Sequence, residues 1–481
     1  MAGAAGGSPA MVIAGLDPPV FVAAAVGAVT LVLLVVLFVF RLPPGASSPS
    51  SSSSSLTSTK ATSVDDDKPV RKQNTHATSA GSRKKAPTHS HSHWKASGGG
   101  AEKAQQHRHP LCFNTVKGHT DAVTGLHFSP DGRNLATACT DRVIRVFKVA
   151  DITAKSFKFL RIDLPVGIMP VDVAVGGNAS EVVVAGQILS GASLSLYAPA
   201  STAVSAAAGK GDDFKLPEPE LKWEKRRVHD NRSIIKLSAA SMTHGQHAKG
   251  GVIVATCSEG TDVKVWTIAD GRCVGTVDSN QLCNHMAALS PSGRFLAAAA
   301  FTGDVKIWEV CTAKDGQVKE VARAMQLKGH KSAVTWLCFA HDSEKVVTAS
   351  KDGKIKVWNI NVRYELSEDP RCLHTFDIPE NANQQKGGVH YFDKLALSPD
   401  DRILACTIGC TLCWLDMETG EVIDTAENAH DGHVSCLEWS PQRHNTGKGV
   451  NAMVLATGGP DRKVKLWDAP VRDPSRGAGK T

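Results

Sequence analysis

The chain contains no phosphate-cradling glycine loop, no nucleophile elbow and no metalloprotease helix, so no common catalytic motif places it among the enzymes. Its 12 cysteines are scattered, and no second pair stands at zinc-ribbon spacing from Cys410-Thr-Leu-Cys413. On a strand, positions three apart face opposite sides, which argues against a redox or metal role for that pair. Neither a cofactor nor a structural metal is expected. A more telling absence lies near the N-terminus. Residues 20–40 (VFVAAAVGAVTLVLLVVLFVF) carry no charge and no proline over the length a helix needs to cross a bilayer.

That stretch reads as one transmembrane helix. The competing reading is a cleaved signal peptide, but the preceding residues hold no Lys or Arg, the apolar run is long, and no A-x-A site follows. Residues 1–19 carry only Asp17, whereas Arg41, Lys60, Lys68, Arg71, Lys72, Arg83, Lys84 and Lys85 all follow the span. Positive charge collects on the cytosolic side, so residues 1–19 read as a short lumenal tail and the rest of the chain as cytosolic. Residues 41–110 are rich in Ser, Lys, Gly and His and cannot bury enough apolar surface to fold, so a disordered linker is expected. Within it, His89, His91 and His93 alternate in a pattern that could hold a metal, but with no local Cys or carboxylate and no surrounding groups to fix the rings, metal binding is not the expected reading. Arg83-Lys84-Lys85 would sit near anionic lipid or simply solvate the linker.

Beyond residue 110 the sequence repeats. Residues 327–360 (LKGHKSAVTWLCFAHDSEKVVTASKDGKIKVWNI) place Gly329-His330 before an apolar run; a second run ends in Ser350-Lys-Asp352 and a third in Trp358. Runs 333–340, 345–350 and 354–359 are rich in β-branched residues and separated by turn formers, which predicts three antiparallel strands. The pattern resembles the WD repeat of forty-odd residues. Its third-strand anchor recurs as Phe147, Tyr197, Trp266, Trp308, Trp358, Trp414 and Trp467. The implied fold is all-β, a seven-bladed WD40 β-propeller over residues 111–470, with residues 471–481 as a tail. Residues 111–116 precede the first full repeat, and the chain ends soon after Trp467 without an outer strand. The N-terminal strand is therefore expected to complete the last sheet and close the ring.

In WD repeats a His, a Ser, a turn Asp and a Trp close a buried hydrogen-bond chain. The resemblance assigns those roles to His330, Ser350, Asp352 and Trp358 in blade five. Blade one keeps His119 and Asp141 but has Cys139 and Phe147 at the Ser and Trp positions; blade seven keeps His430, Asp461 and Trp467, with Gly459 in place of Ser. Blades two, four and six lack most of the set. The expected role is structural, because buried polar groups must be paired. A basic residue stands two before several anchors (Arg145, Lys264, Lys306, Lys356, Lys465). Either these form a functional charged ring or, more simply, their stems pack on a blade face with the charged heads in water.

The net charge of +7 concentrates in the linker and in residues 222–232 (KWEKRRVHDNR), where Lys225, Arg226 and Arg227 are candidate RNA or partner contacts. Glu224 and Asp230 interrupt that run, and a solvated loop or outer strand is the alternative. The cysteines fall mostly in apolar strand patterns, as suits a reducing compartment. Asn178-Ala-Ser180 and Asn231-Arg-Ser233 match the glycosylation acceptor pattern, which has meaning only in a lumen.

Residues 285–310 (HMAALSPSGRFLAAAAFTGDVKIWEV) followed by residues 321–359 (VARAMQLKGHKSAVTWLCFAHDSEKVVTASKDGKIKVWN), joined to an N-terminal span, resemble the transducin beta-like protein 2 family. The resemblance implies a single-pass endoplasmic reticulum membrane protein with a cytosolic propeller. Its implied partners are a stress-signalling kinase and the translation machinery, with RNA as a further candidate. The expected function is a non-catalytic interaction scaffold. The rival is an RNA- or ribosome-binding protein using the basic loop and linker.

Overall fold

Val334–Phe339, Lys345–Ser350 and Lys354–Asn359 form antiparallel strands, and Arg371–Asp377 adds a fourth on the outside. The turn between the first two strands needs a left-handed residue, supplied by Ser343 at φ 63°; Gly353, at φ 76°, serves the next turn. A computed structural model of the chain describes residues 109–155, 157–176, 181–199, 219–242, 251–314, 316–378, 391–447 and 451–471. The proposed membrane span at residues 20–40 and all but the end of the linker lie outside the described residues, as does Asn178. Among the described residues no helix is long and apolar enough to cross a membrane.

The same four-stranded sheet occurs seven times. Its innermost strands are Val123–Phe128, Met169–Val175, Ile234–Ser241, Asn284–Leu289, Val334–Phe339, Lys394–Leu397 and Cys436–Asn445, which open blades one to seven in order. Blade seven takes its outer strand from the other end of the chain: Cys112–Val116 pairs antiparallel with Val464–Asp468. This is the closure the sequence predicts.

Seven apolar clusters fill the seven seams between neighbouring blades, including the seam from blade seven back to blade one, where Val454, Ala456 and Leu466 meet Val123, Leu126 and Phe128. Strand alternation builds them. In blade five Val346 packs toward blade four while its neighbour Val347 packs toward blade six. Middle strands are thus buried on both sides, and Phe295–Ala300 (FLAAAA) is buried at every position.

The anchors obey this geometry with one exception. Phe147, Tyr197, Trp266, Trp308, Trp358 and Trp467 all face the preceding blade. Trp414 instead faces blade seven, meeting Trp467 edge to face at 5.7 Å, and Leu415 occupies the side facing blade five. Adjacent residues on a strand face opposite sides, so in blade six Leu415, one residue beyond Trp414, takes the direction the other anchors have. The expected count of seven blades holds, although Trp414 is not the counterpart of the other anchors.

Candidate functional site

In blade five, His330 lies on the loop entering the innermost strand. Its Nδ1 is 3.0 Å from Asp352 Oδ2 and its Nε2 2.8 Å from Thr348 Oγ1, which also accepts the Trp358 indole N–H at 2.9 Å. The chain therefore runs Asp352, His330, Thr348, Trp358. Ser350 is not a link in it. Its hydroxyl donates to the Ser332 carbonyl at 3.0 Å and accepts the Asp352 N–H at 3.2 Å, fixing the turn that presents Asp352. Thr348, two residues earlier on the same strand, points the same way and supplies the hydroxyl the sequence pattern assigned to Ser350.

Burial lowers the His330 pKa, outweighing the neighbouring Asp352. Burial would raise Asp352, but the Lys331 N–H and His330 hold it below the usual carboxylate range. A neutral imidazole between a carboxylate and a hydroxyl can satisfy every polar atom in the chain.

Blade seven repeats this arrangement. His430 meets Asp461 at 2.9 Å and Thr457 at 2.8 Å, and the Trp467 indole donates to Thr457 at 2.8 Å. Gly459 is required here, since a Cβ would come within 2.7 Å of His430 Nδ1. Blade three carries a third complete chain: Asp262, His229, Thr256 and Trp266. The sequence pattern missed it because Val228, not glycine, precedes His229, and because Asp262 opens the third strand instead of sitting in the turn. The signal that survives in every case is a Thr ten residues before the anchor.

In blade one the chain is broken. His119 Nε2 meets Thr137 at 2.9 Å, but its Nδ1 has no partner among the described residues. Asp141 is drawn to Arg145 at 2.7 Å, and to the Thr120 N–H and hydroxyl. Arg145 stands where blades three, four, five and seven have Lys, and its longer fork captures the carboxylate.

The related lysines do not simply reach water. Lys264 donates to the Val228 carbonyl at 2.8 Å, Lys465 to that of Ala429 and Lys306 to that of Ser279, while Lys356 reaches Thr375 Oγ1 at 3.0 Å. In blades three and seven they fix the residue just before the buried His. For Lys264, Lys306 and Lys465 the expectation of solvated heads gives way to loop-tying contacts, whereas the Lys356 contact is exposed and runs to the outer strand of its own blade.

Lys225 and Arg226 lie on the outer strand of blade two, Pro219–Arg226, and Arg227 just beyond it. Arg226 pairs with Glu224 at 2.8 Å and Lys222 with Glu220 at 3.3 Å, so acids neutralise much of that face. Lys225 and Arg227 are exposed. Asn231 is exposed as well, at 3.4 Å from Arg227. Cys410 sits in the hairpin turn while Cys413 is buried opposite Cys406, so the C-x-x-C residues point to different surroundings. Among the described residues no group of three or more His, Cys, Asp or Glu is placed to hold a metal.

Around the central channel, side chains from one innermost strand accept the free edge N–H groups of the next. His127 takes Val175 at 3.2 Å, Asp172 takes Leu237 at 3.0 Å, Ser238 takes Leu289 at 3.0 Å, Met286 Sδ takes Leu337 at 3.5 Å and Glu438 takes Phe128 at 3.4 Å. Blade six is held from both sides by indoles, Trp336 donating to the Leu395 carbonyl at 2.9 Å and Trp439 to that of Ala396 at 3.0 Å. Lys236 completes the lining with an ion pair to Asp172 at 2.6 Å. Burial pushes Glu438 up to about 8 against the pull of Lys236, and lowers His127 to about 4 with help from Lys236. These groups stitch neighbouring blades together at their inner edges.

The WD domain, G-beta repeat family matches residues 111–148, 271–309, 322–359 and 423–468. Human transducin beta-like protein 2 is 30% identical over 374 residues, covering 76% of this chain and 74% of that protein. The chain belongs to the transducin beta-like protein 2 family. The mouse member is 29% identical over the same 374-residue length, whereas protein tipD of Dictyostelium discoideum is 25% identical over 218 residues, 45% of this chain and 31% of its own. Each matched segment begins on or just before the outer strand of one blade and ends on the third strand of the next, so this family's sequence unit bridges a seam.

Proposed function

We propose that the chain is a membrane-tethered, non-catalytic scaffold whose propeller gathers protein partners at the cytosolic surface of the endoplasmic reticulum, in stress signalling and translation control. The observation that carries this reading is the closed ring. Its recurring polar side chains are consumed in holding blades together, which leaves a rigid platform of loops for partners. The tether rests on the charge-free stretch at residues 20–40 and the basic residues that follow it. Cysteines that remain unpaired, two of them (Cys273 and Cys372) exposed, favour a reducing compartment. The family resemblance supports the organelle and the partner classes.

Protease added to sealed microsomes is expected to remove the propeller and leave a small protected fragment. A full-length band that resists protease until detergent is added, and that shifts with a glycosidase, would place the propeller with its Asn178 and Asn231 acceptor sites in the lumen and overturn the cytosolic reading.

A further inference from the structure

We propose that the seam between blades five and six is a docking site for an acidic peptide segment of a protein partner, seated where Lys351 and Lys394 rest on Tyr391 and Trp336. The proposal rests on the scaffold reading and names the partner chemistry. Each blade contributes one lysine and one aromatic ring, and the pairs cross the seam. Lys351 of blade five lies 5.6 Å from the ring centre of Tyr391, at the entry to blade six, while Lys394 of blade six lies 4.5 Å from the ring centre of Trp336 in blade five. Among the described residues neither ammonium has a carboxylate within ion-pair distance.

The nearby acids are already engaged. Asp352 serves His330 and the Lys331 N–H, and Asp393 accepts the Gly409 N–H at 2.7 Å. Both lysines are partly buried on ring faces, and burial lowers the Lys394 pKa, so an arriving carboxylate would stabilise the charged form of that ammonium in a site of low dielectric. Beside them, His285 lies 6.1 Å from Phe301, and its pKa is lowered by burial and then by Lys351. Its Nε2 is buried without a partner among the described residues. Phe301 is half exposed and Leu282, on the same blade's entry loop, is more so, offering apolar contact next to the charges.

A carboxylate fits better than a nucleic acid. Base stacking needs open ring faces, and here lysines cover them, with the Trp336 indole N–H further committed to Leu395. A peptide carrying Asp or Glu beside an apolar side chain matches both halves of the surface.

The test is selection of a random dodecapeptide phage library on the immobilised full-length chain in detergent micelles. Recovered peptides should be enriched in Asp and Glu with an apolar residue. Their affinity should fall roughly tenfold or more in Lys351→Gln/Lys394→Gln and return in Lys351→Arg/Lys394→Arg. The single Lys→Gln variants, each expected to melt like the parent, should show smaller losses. Peptides without acidic bias, or an affinity unchanged in the double variant, would overturn the site. So would oligouridine RNA that displaces the peptides and itself depends on both lysines. In cells, proximity labelling that returns the same partners for parent and double variant would remove this site and leave the scaffold standing. A parent chain that labels no protein above a span-only control would remove the scaffold reading itself.

Discussion

Val116 is paired with Val464, so the first described strand lies against the last. Both side chains are buried in the cluster that joins blade seven to blade one. A chain beginning at His119 would lack this strand and bare the edge of blade seven, and should aggregate. One beginning at His107 should remain a soluble monomer. Size-exclusion chromatography of the two separates the outcomes, and equal behaviour would contradict closure by this strand.

Thr348→Val keeps the shape of the side chain and removes the hydroxyl that His330 and Trp358 share. Each orphaned group costs about 1–3 kcal/mol, so the substitution should destabilise by that amount or more. Ser350→Ala should cost less, because Ser350 only fixes the Asp352 turn. Denaturant titrations of the two variants decide the order, and a larger loss for Ser350→Ala would return Ser350 to the centre of the network.

Trp467→Phe and Trp414→Phe make the same chemical change on two rings that touch. Trp467 donates to Thr457, whereas the Trp414 indole N–H has no partner among the described residues. The first substitution should cost about 1 kcal/mol more than the second. Matching melting shifts would count against the assignment of Trp414 to the other face.

His119 should make stability fall with acid. It titrates near 6.5 in an unfolded chain, and in the fold it is lowered to about 4 by burial, with Arg145 adding to the shift and Asp141 opposing it. As pH falls, the unfolded chain takes up this proton first. Stability from this group is therefore complete above about 6.5 and is lost on the way down to about 4. His119→Gln should flatten the dependence of melting temperature on pH across that window; His127, lowered to a similar value, should keep part of it. An undiminished slope in the variant would show that His119 is not a source.

Blade five was legible almost to the residue because its turns are marked by Asp and Gly and its strands alternate cleanly. The closing strand was legible because one unit lacked an outer strand and an unattached apolar stretch preceded the first. Thr348 was not. Thr and Ser two apart on one strand share a face, and only distances tell which hydroxyl reaches His330. His229 stood inside a run read for its charge, and no glycine announced it. Trp414 looks like its counterparts in sequence because a one-residue difference in position along the strand leaves no mark on the side chain whose direction it reverses. The channel lining was invisible for a different reason: His127, Asp172 and Glu438 act on neighbouring blades, and a repeat read one unit at a time does not show what each unit gives to the next.

The pairing of Cys112–Val116 with the last strand also sets the mechanics of the molecule. Leu111 accepts the Asp468 N–H at 2.9 Å, and the pairing runs antiparallel from Cys112 opposite Trp467 to Val116 opposite Val464. A pull across the strand, applied to the residues before His109, would load these bonds one after another from the Cys112 end, as a zipper opens, whereas a pull along the strand would load them together in shear. Under the crosswise pull the clasp of the ring is the first element in line, so blade seven would open while the other six sheets kept their strands.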